Sequence, residues 1–334
     1  MISKSRRTEI VNKLGTLLAL FVLCVILSVS TSNFLTIDNV MNILRQTSVN
    51  ALIASGMLVC LITAGIDLSV GANAVTAACI MGMLKQFMGI SNPFILILAA
   101  LISGTFFGWC NGMLLTRLRL PHPFVSTLGM KNILCGVALL VVQTQMISGF
   151  PAPVTWLGAH SIFRNASFPG IPVSFIAVVI LFGIFHVFLS RTALGRTIYC
   201  VGGNAEAARL SGIDSKNVLT FVYSLSGFMC ALAAIVLVGR TGIANPASAI
   251  QPYDTDAVAA CIIGGASFMG GKGTIGGTLI GALIISVIRN GLTLLNAQSE
   301  VQFIVIGAVI ILAVFLDITR VRMEAKARLR ATAA

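Results

Sequence analysis

The sequence predicts an all-α polytopic membrane protein with about ten transmembrane helices and both termini in the cytoplasm. Three observations carry this prediction. First, the 334 residues are 57% hydrophobic and only 10% charged, with a mean hydropathy of +0.98. Soluble domains carry about 25% charged residues, so this chain lacks the polar material for a water-facing surface. Second, its apolar stretches are continuous and reach the roughly 20 residues a helix needs to cross the hydrocarbon. A membrane barrel would instead show alternating segments of about ten residues. Third, the basic residues segregate by side, as the positive-inside rule requires.

Ten spans follow in order: 15–31, 48–64, 70–88, 93–114, 123–143, 171–190, 218–239, 254–269, 276–295 and 301–318. With the N-terminus inside, the inner side receives Lys4, Arg6, Arg7 and Lys13 before the first span. Arg117 and Arg119 follow the fourth, Arg191, Arg196, Arg209 and Lys216 the sixth, and Lys272 the eighth. Arg320, Arg322, Lys326, Arg328 and Arg330 follow the tenth. The outer side receives Arg45, Lys85, Arg164 and Arg240, while Lys131 and Arg289 fall within spans. The net charge of +12 is thus mostly a topology signal and gives no reason to expect nucleic acid as a partner.

The chain reads as one transmembrane domain over 1–334, with an N-terminal tail 1–14 and a C-terminal tail 319–334. The basic start, apolar core and Ser28-Val29-Ser30 of the first span imitate a signal peptide. An uncleaved first span fits better, because cleavage would break the charge pattern. Residues 32–47 contain a helix start at Thr36-Ile37-Asp38-Asn39, predicting a short interfacial or re-entering segment ahead of span 2. The long outer loop 144–170 carries Pro151, Pro153, Trp156 and Pro169; its Trp suits either the membrane interface or a soluble partner. Eight Cys are scattered without metal spacing. They read as small apolar packing residues, and no metal site or disulfide is expected.

The stretch Gly264-Gly265-Ala266-Ser267-Phe268-Met269-Gly270-Gly271-Lys272-Gly273-Thr274 imitates a phosphate-binding loop. The P-loop register needs Gly, four residues, then Gly-Lys-Ser/Thr. Ala266 stands where the first Gly belongs and Gly273 where Ser or Thr belongs. The glycines are read instead as a tight inner turn leading into a packing face formed by Gly273, Gly277 and Gly281, a spacing that lets helices approach closely in lipid. Gly104 and Gly108 repeat that spacing in span 4. Leu61–Ala74 and Ile262–Gly276 share an apolar run, a Gly-broken turn and a small-residue run, leaving an internal repeat open.

Two polar segments interrupt this pattern. In Gly65-Ile66-Asp67-Leu68-Ser69-Val70-Gly71, Asp67 falls between two apolar runs. It caps the next helix, lines a pathway, or does both; Ser69 is equally able to cap. The inner loop 191–217 contains a helix start at Gly203-Asn204, helix formers from Ala205 to Leu210, and a stop at Ser211-Gly212. A short cytoplasmic helix bearing Glu206 and Arg209 suits docking to a cytosolic partner, or is an ordinary solvated loop. Among the histidines, His186 is within a span; a packed residue is the simpler reading than a proton relay.

Taken together, GIDLSVG at 65–71, GRTIYCVGGNAEAARLSGI at 195–213 and GGASFMGGKGTIGGTLIGA at 264–282 make the chain resemble the ribose/simple-sugar branch of ATP-binding-cassette importer permeases. The segment Leu44-Arg45-Gln46-Thr47-Ser48-Val49-Asn50-Ala51 is also similar to the ribose pattern, whose last motif usually has a larger residue near Gly276. The likeness runs from about Asn33 to Asp317. It implies a multi-pass protein of the bacterial inner membrane that is not itself an enzyme and binds no cofactor. Implied partners are a second permease chain (a homodimer), a cytosolic ATPase with two fused nucleotide-binding cassettes, a periplasmic sugar-binding protein, and membrane lipid. The implied cargo is a ribose-like pentose or a related aldose such as allose. Gly202, Gly203, Asn204, Glu206, Ala207, Arg209, Ser211 and Gly212 would form the helix that couples to the ATPase. Asn50, Thr63, Asp67, Ser69, Asn73, Gln143 and Asn290 are the candidates for a sugar path. The turn and packing set is Gly264, Gly265, Gly270, Gly271, Gly273, Gly277 and Gly281. Two rival readings are an ion-gradient-driven secondary transporter and a branched-chain amino acid permease, the latter not expected to carry GIDLSVG.

Overall fold

The computed structural model describes residues 4–118, 120, 122–165 and 168–332. The extreme tail residues 1–3 and 333–334, and Arg119 of the inner basic set, lie outside the described residues. Among the described residues the chain is all-α, with only two-residue strands in the connections. The helices are α1 (Lys4–Ser30), α2 (Ile37–Ile62), α3 (Val70–Phe87), α4 (Pro93–Thr116), α5 (Pro123–Val141), α6 (Ala152–Ala159), α7 (Val173–Arg191), α8 (Ala193–Gly203), α9 (Ala205–Leu210), α10 (Ser215–Thr241), α11 (Tyr253–Ile263), α12 (Ile275–Leu294) and α13 (Ser299–Thr332). Six of them, α2, α4, α5, α7, α10 and α12, are long and apolar enough to cross a membrane.

Most predicted spans coincide with a helix, but two expectations are corrected. The segment ahead of span 2 is no separate element, because α2 runs unbroken from Ile37 to Ile62. Span 254–269 is too long. Its helix, α11, has 11 residues and rises only about 16 Å, roughly half the hydrocarbon thickness. The Gly264-Gly265 pair ends it: Gly265 holds φ +89°, a conformation glycine adopts at no steric cost. Before α11, a 3-10 turn at Pro246–Ile250 replaces regular helix.

α10 is the axis of the bundle. Its face carrying Thr220, Gly227 and Ala231 meets Gly104, Gly108 and Gly112 of α4. A β-carbon on Gly104 would approach that of Ala231 to 2.8 Å. Removing side chains lets the two backbones touch, the usual means of helix association where lipid offers no hydrophobic drive. α2, also packed on α10, is buried over most of its length, whereas α4, α5 and α7 leave most of their apolar surface exposed. Cys60, Cys79, Cys230 and Cys261 are buried free thiols, as packing residues should be.

Short antiparallel pairs tie the connections between helices. β1 (Ile147–Ser148) pairs with β4 (Ile243–Ala244), and β2 (Ser161–Ile162) with β3 (Ile171–Pro172). Half-exposed Trp156 stacks on His160, their rings 5.4 Å apart. His186 corrects another expectation: it is not packed in the bundle but lies on the exposed face of α7.

Candidate functional site

Loop 191–217 is built by local capping chemistry. Thr192 starts α8 by accepting the Gly195 N–H at 3.0 Å. Asn204 then ends α8 and starts α9. It adopts an extended conformation, and its Oδ1 accepts the Ala207 N–H at 2.9 Å. Gly212, at φ +81°, closes α9, where the Ile213 N–H reaches back to the Ala208 carbonyl at 3.0 Å. Asp214 starts α10 by accepting from the Lys216 and Asn217 N–H groups. The sequence reading found α9 but missed α8 and the Asp214 cap.

α9 turns Ala208 inward and leaves Gly203, Asn204, Glu206, Ala207, Arg209, Ser211 and Gly212 exposed. Arg209 donates to both oxygens of Glu206, at 2.6 and 3.1 Å. This holds the Glu206 carboxyl below the usual carboxylate range and raises Arg209. Leu210 stands 75% exposed beside the pair. An apolar tip flanked by a fixed charge pair is suited to docking.

Gly202 belongs to the support under this helix. It is buried against the Ile62 carbonyl at the end of α2. The glycine-rich stretch wraps the same place. The Gly271 N–H donates to the Ile62 carbonyl at 2.8 Å, and the Tyr199 hydroxyl to the Gly273 carbonyl at 2.7 Å. Gly270 and Gly271 hold φ of +81° and +70°, so the backbone curls tightly around Gly202 and Gly203. The stretch is a turn rather than a nucleotide cradle. Thr274 then caps α12, accepting from the Gly277 N–H. Gly264 packs against Gly277, and Gly281 against the Ala260 carbonyl. The echo at Leu61–Ala74 holds for the turn itself: the Gly65 and Ala266 N–H groups each bond five residues back, to Cys60 and Cys261. It fails afterwards, since α3 resumes at Val70 while α12 waits until Ile275.

A polar layer lies deeper in the bundle. Asp67 is 1% exposed. Its Oδ1 accepts from the Ser69 N–H at 3.0 Å and the Ser69 hydroxyl at 2.6 Å, and its Oδ2 from Ser226 at 3.1 Å. Asn111 donates to Ser69 at 2.7 Å. Asp67 therefore shapes the turn before α3 and ties it to α4 and α10, without bonding the helix N–H groups as a cap would. Asn73 donates to the Gly104 carbonyl, and Asn50 to Ser286 across α2 and α12. Asn290 and Asn39 exchange two amide bonds at 2.7 and 3.0 Å. Thr63 bonds the Cys60 carbonyl within its own turn, and Gln143 sits exposed just past α5. The seven path candidates thus fall in several places. The structure brings Asp67, Ser69 and Asn73 together, and adds Asn111 and Ser226, which pattern reading could not connect to them.

Two ion pairs complete the layer. Asp254 meets Lys131 at 2.6 Å, and Asp256 receives both arms of Arg289 at 2.5 and 2.8 Å. They tether the start of the half-length α11 to α5 and α12. The carboxylates sit at the helix N-terminus, where the macrodipole favours negative charge.

The chain matches the family model described as "Branched-chain amino acid transport system / permease component" over residues 39–314. It is 40% identical over 312 residues to the ribose import permease protein RbsC of Bacillus subtilis strain 168, covering 92% of this chain and 93% of that one. It is 39% identical to the D-allose transport system permease protein AlsC of Escherichia coli K12, covering 92% and 91%. Against the fructose import permease protein FrcC of Rhizobium meliloti the identity is 37%, covering 82% and 76%. No solved structure matches it.

Proposed function

Because the chain belongs to the branched-chain amino acid transport system / permease component family, we propose that it is the membrane subunit of an ATP-binding-cassette importer for a monosaccharide. The family description spans amino acid systems. The sugar assignment draws on relatives named for ribose, allose and fructose import and on GIDLSVG at 65–71. The cargo is a ribose-like pentose or a related aldose such as allose. The protein is a multi-pass component of the bacterial inner membrane.

In this reading both termini lie inside, the eighth crossing is made by the broken stretch 243–263 rather than by one continuous helix, and a second copy completes the path. A cytosolic ATPase, with two cassettes in one chain, docks at α9. A periplasmic binding protein delivers the sugar. ATP-driven closure of the cassettes moves α9, and α8 passes the movement to the ends of α2 and α12 through Gly202, Tyr199 and the turn 264–273. The joints Asn50–Ser286 and Asn39–Asn290 lie on the helices so moved, and Asn50, Thr63, Asp67, Ser69, Asn73, Gln143 and Asn290 are retained as path candidates. The observation that carries the reading is the exposed, doubly capped α9, joined directly to α8, whose end packs on α2 and the glycine turn. The rival ion-gradient transporter finds less support, since Asp67, Asp254 and Asp256 are each engaged by hydroxyl or cationic partners.

Reconstitution in liposomes tests this. Uptake of ribose or allose is expected only with ATP, the ATPase and the binding protein present. Uptake by the chain alone, driven by a pH or sodium gradient, would replace this reading with the rival.

A further inference from the structure

The bundle holds a cavity of about 160 Å³ beside the broken stretch between α10 and α11. One wall is apolar, formed by Val75 and Ala78 of α3 and Leu237 of α10. The other carries Asn245, Ser248 and Tyr253, and none of the lining residues is charged. Asn245 spends its Oδ1 on the Ala247 N–H. Its amide nitrogen, the Ser248 hydroxyl and the Tyr253 hydroxyl have no hydrogen-bond partner among the described residues. Irregular backbone within a membrane bundle is tolerated where it is buried in protein or lines a cavity, and interrupted helices are where transporters build their substrate sites.

The chemistry of the two walls selects a ligand class. A monosaccharide presents a rim of hydroxyls around C–H faces, matching three free polar groups opposite an aliphatic surface. The lining carries no charge, while Arg240, Arg289 and Asp256 stand near Tyr253 outside it; an uncharged lining suits a neutral molecule, and polar groups set in an apolar pocket are the usual means of orienting a small ligand. The volume equals that of about five waters, the scale of one sugar ring.

We propose that this cavity is a transit site for one monosaccharide within a single chain, with Asn245, Ser248 and Tyr253 holding ring hydroxyls and Val75, Ala78 and Leu237 facing the ring carbons. The proposal rests on the importer reading above and adds to it a site inside the protomer.

The test uses the complete importer in proteoliposomes, with labelled ribose and allose as probes. The double variant Ser248→Ala/Tyr253→Phe removes two hydroxyls without altering the backbone, and Ala78→Leu fills the space. The double variant is expected to lower uptake about tenfold, the effect of losing two modest hydrogen bonds, and Ala78→Leu to lower it by excluding the ring, while ATPase activity stimulated by the binding protein persists in both. Uptake at the unchanged rate in both variants would overturn the cavity assignment alone. A parallel fall in stimulated ATPase activity would assign these residues to packing and also overturn it. No uptake of any monosaccharide by the unchanged complex would instead overturn the importer reading, and this site with it.

Discussion

Gly202 lies so close to the Ile62 carbonyl that a β-carbon built on it would overlap the oxygen. Gly203, one residue on, has open space at the same position. These neighbours make a controlled pair. Gly202→Ala is expected to destabilise the protein by about 1–3 kcal/mol through overpacking, and Gly203→Ala to be neutral or slightly stabilising in helix α8. Thermal unfolding of the purified protein in detergent reads both. Equal behaviour of the two variants would show that the contact under α8 is absent.

Asn204 governs where α8 stops and α9 begins. Asn204→Ala is expected to cost about 1 kcal/mol locally, the worth of an N-cap, and to fray a helix of only six residues. Glu206→Gln removes the charge pair without touching the cap. For both, membrane insertion should be normal while sugar moved per ATP hydrolysed falls. Full coupling in both variants would remove α9 from the transmission path.

The pair Asp256–Arg289 sits inside the bundle, with side chains 4% and 17% exposed. Asp256→Ala leaves a guanidinium without its carboxylate and should cost about 3–5 kcal/mol, as for buried pairs deprived of one partner. Asp256→Ala/Arg289→Met should recover much of that loss. The yield of folded protein and its unfolding midpoint give the double-mutant cycle. If the double variant is as unstable as the sum of both single changes, the two residues do not act as a pair.

pH should leave the coupling face unchanged near neutrality. Glu206 is held below the usual range by Arg209, so the pair is present above the ordinary Glu value and lost only in acid, through the lowered folded-state value. Burial raises the Tyr199 hydroxyl. Its bond to Gly273 is therefore complete below the ordinary value and is lost only in alkali, through the raised folded-state value. From about pH 6 to about pH 9, between those ordinary carboxylate and phenol ranges, the ratio of sugar moved to ATP hydrolysed should be flat. A step inside that window would require another titrating group at the interface.

Tyr199→Phe isolates the link between α8 and the glycine turn. It removes one hydroxyl bond worth about 1 kcal/mol while keeping the ring packed. The expected result is a lower ratio of uptake to ATP hydrolysis with little change in unfolding temperature. An unchanged ratio would confine transmission to the Gly202 contact.

What could be read from sequence follows from the range of the forces involved. Hydropathy is summed over a window, so the long apolar helices were legible, and caps are local, so Asn204, Ala205–Leu210 and Gly212 fell where expected. The length of α11 was not legible, because Ala266, Phe268 and Met269 continue its apolar run past the turn that ends it. Nor were the partners of Asp67, Asp254 and Asp256. Asn111 and Lys131 come from other helices and leave no mark in spacing. Cavities are less legible still, since the one beside Tyr253 is bounded by segments far apart in the chain.

The support beneath α9 is closed by Ile62, Gly202 and Gly271, which come from early, middle and late parts of the chain. During synthesis, contacts between such distant segments can form only after the last of them has left the ribosome. α9 has its own caps much earlier, yet its foundation waits for the residues around 270. An unfinished or truncated permease would thus present a loose docking helix, and a partner that binds the rigid one would assemble only on completed chains.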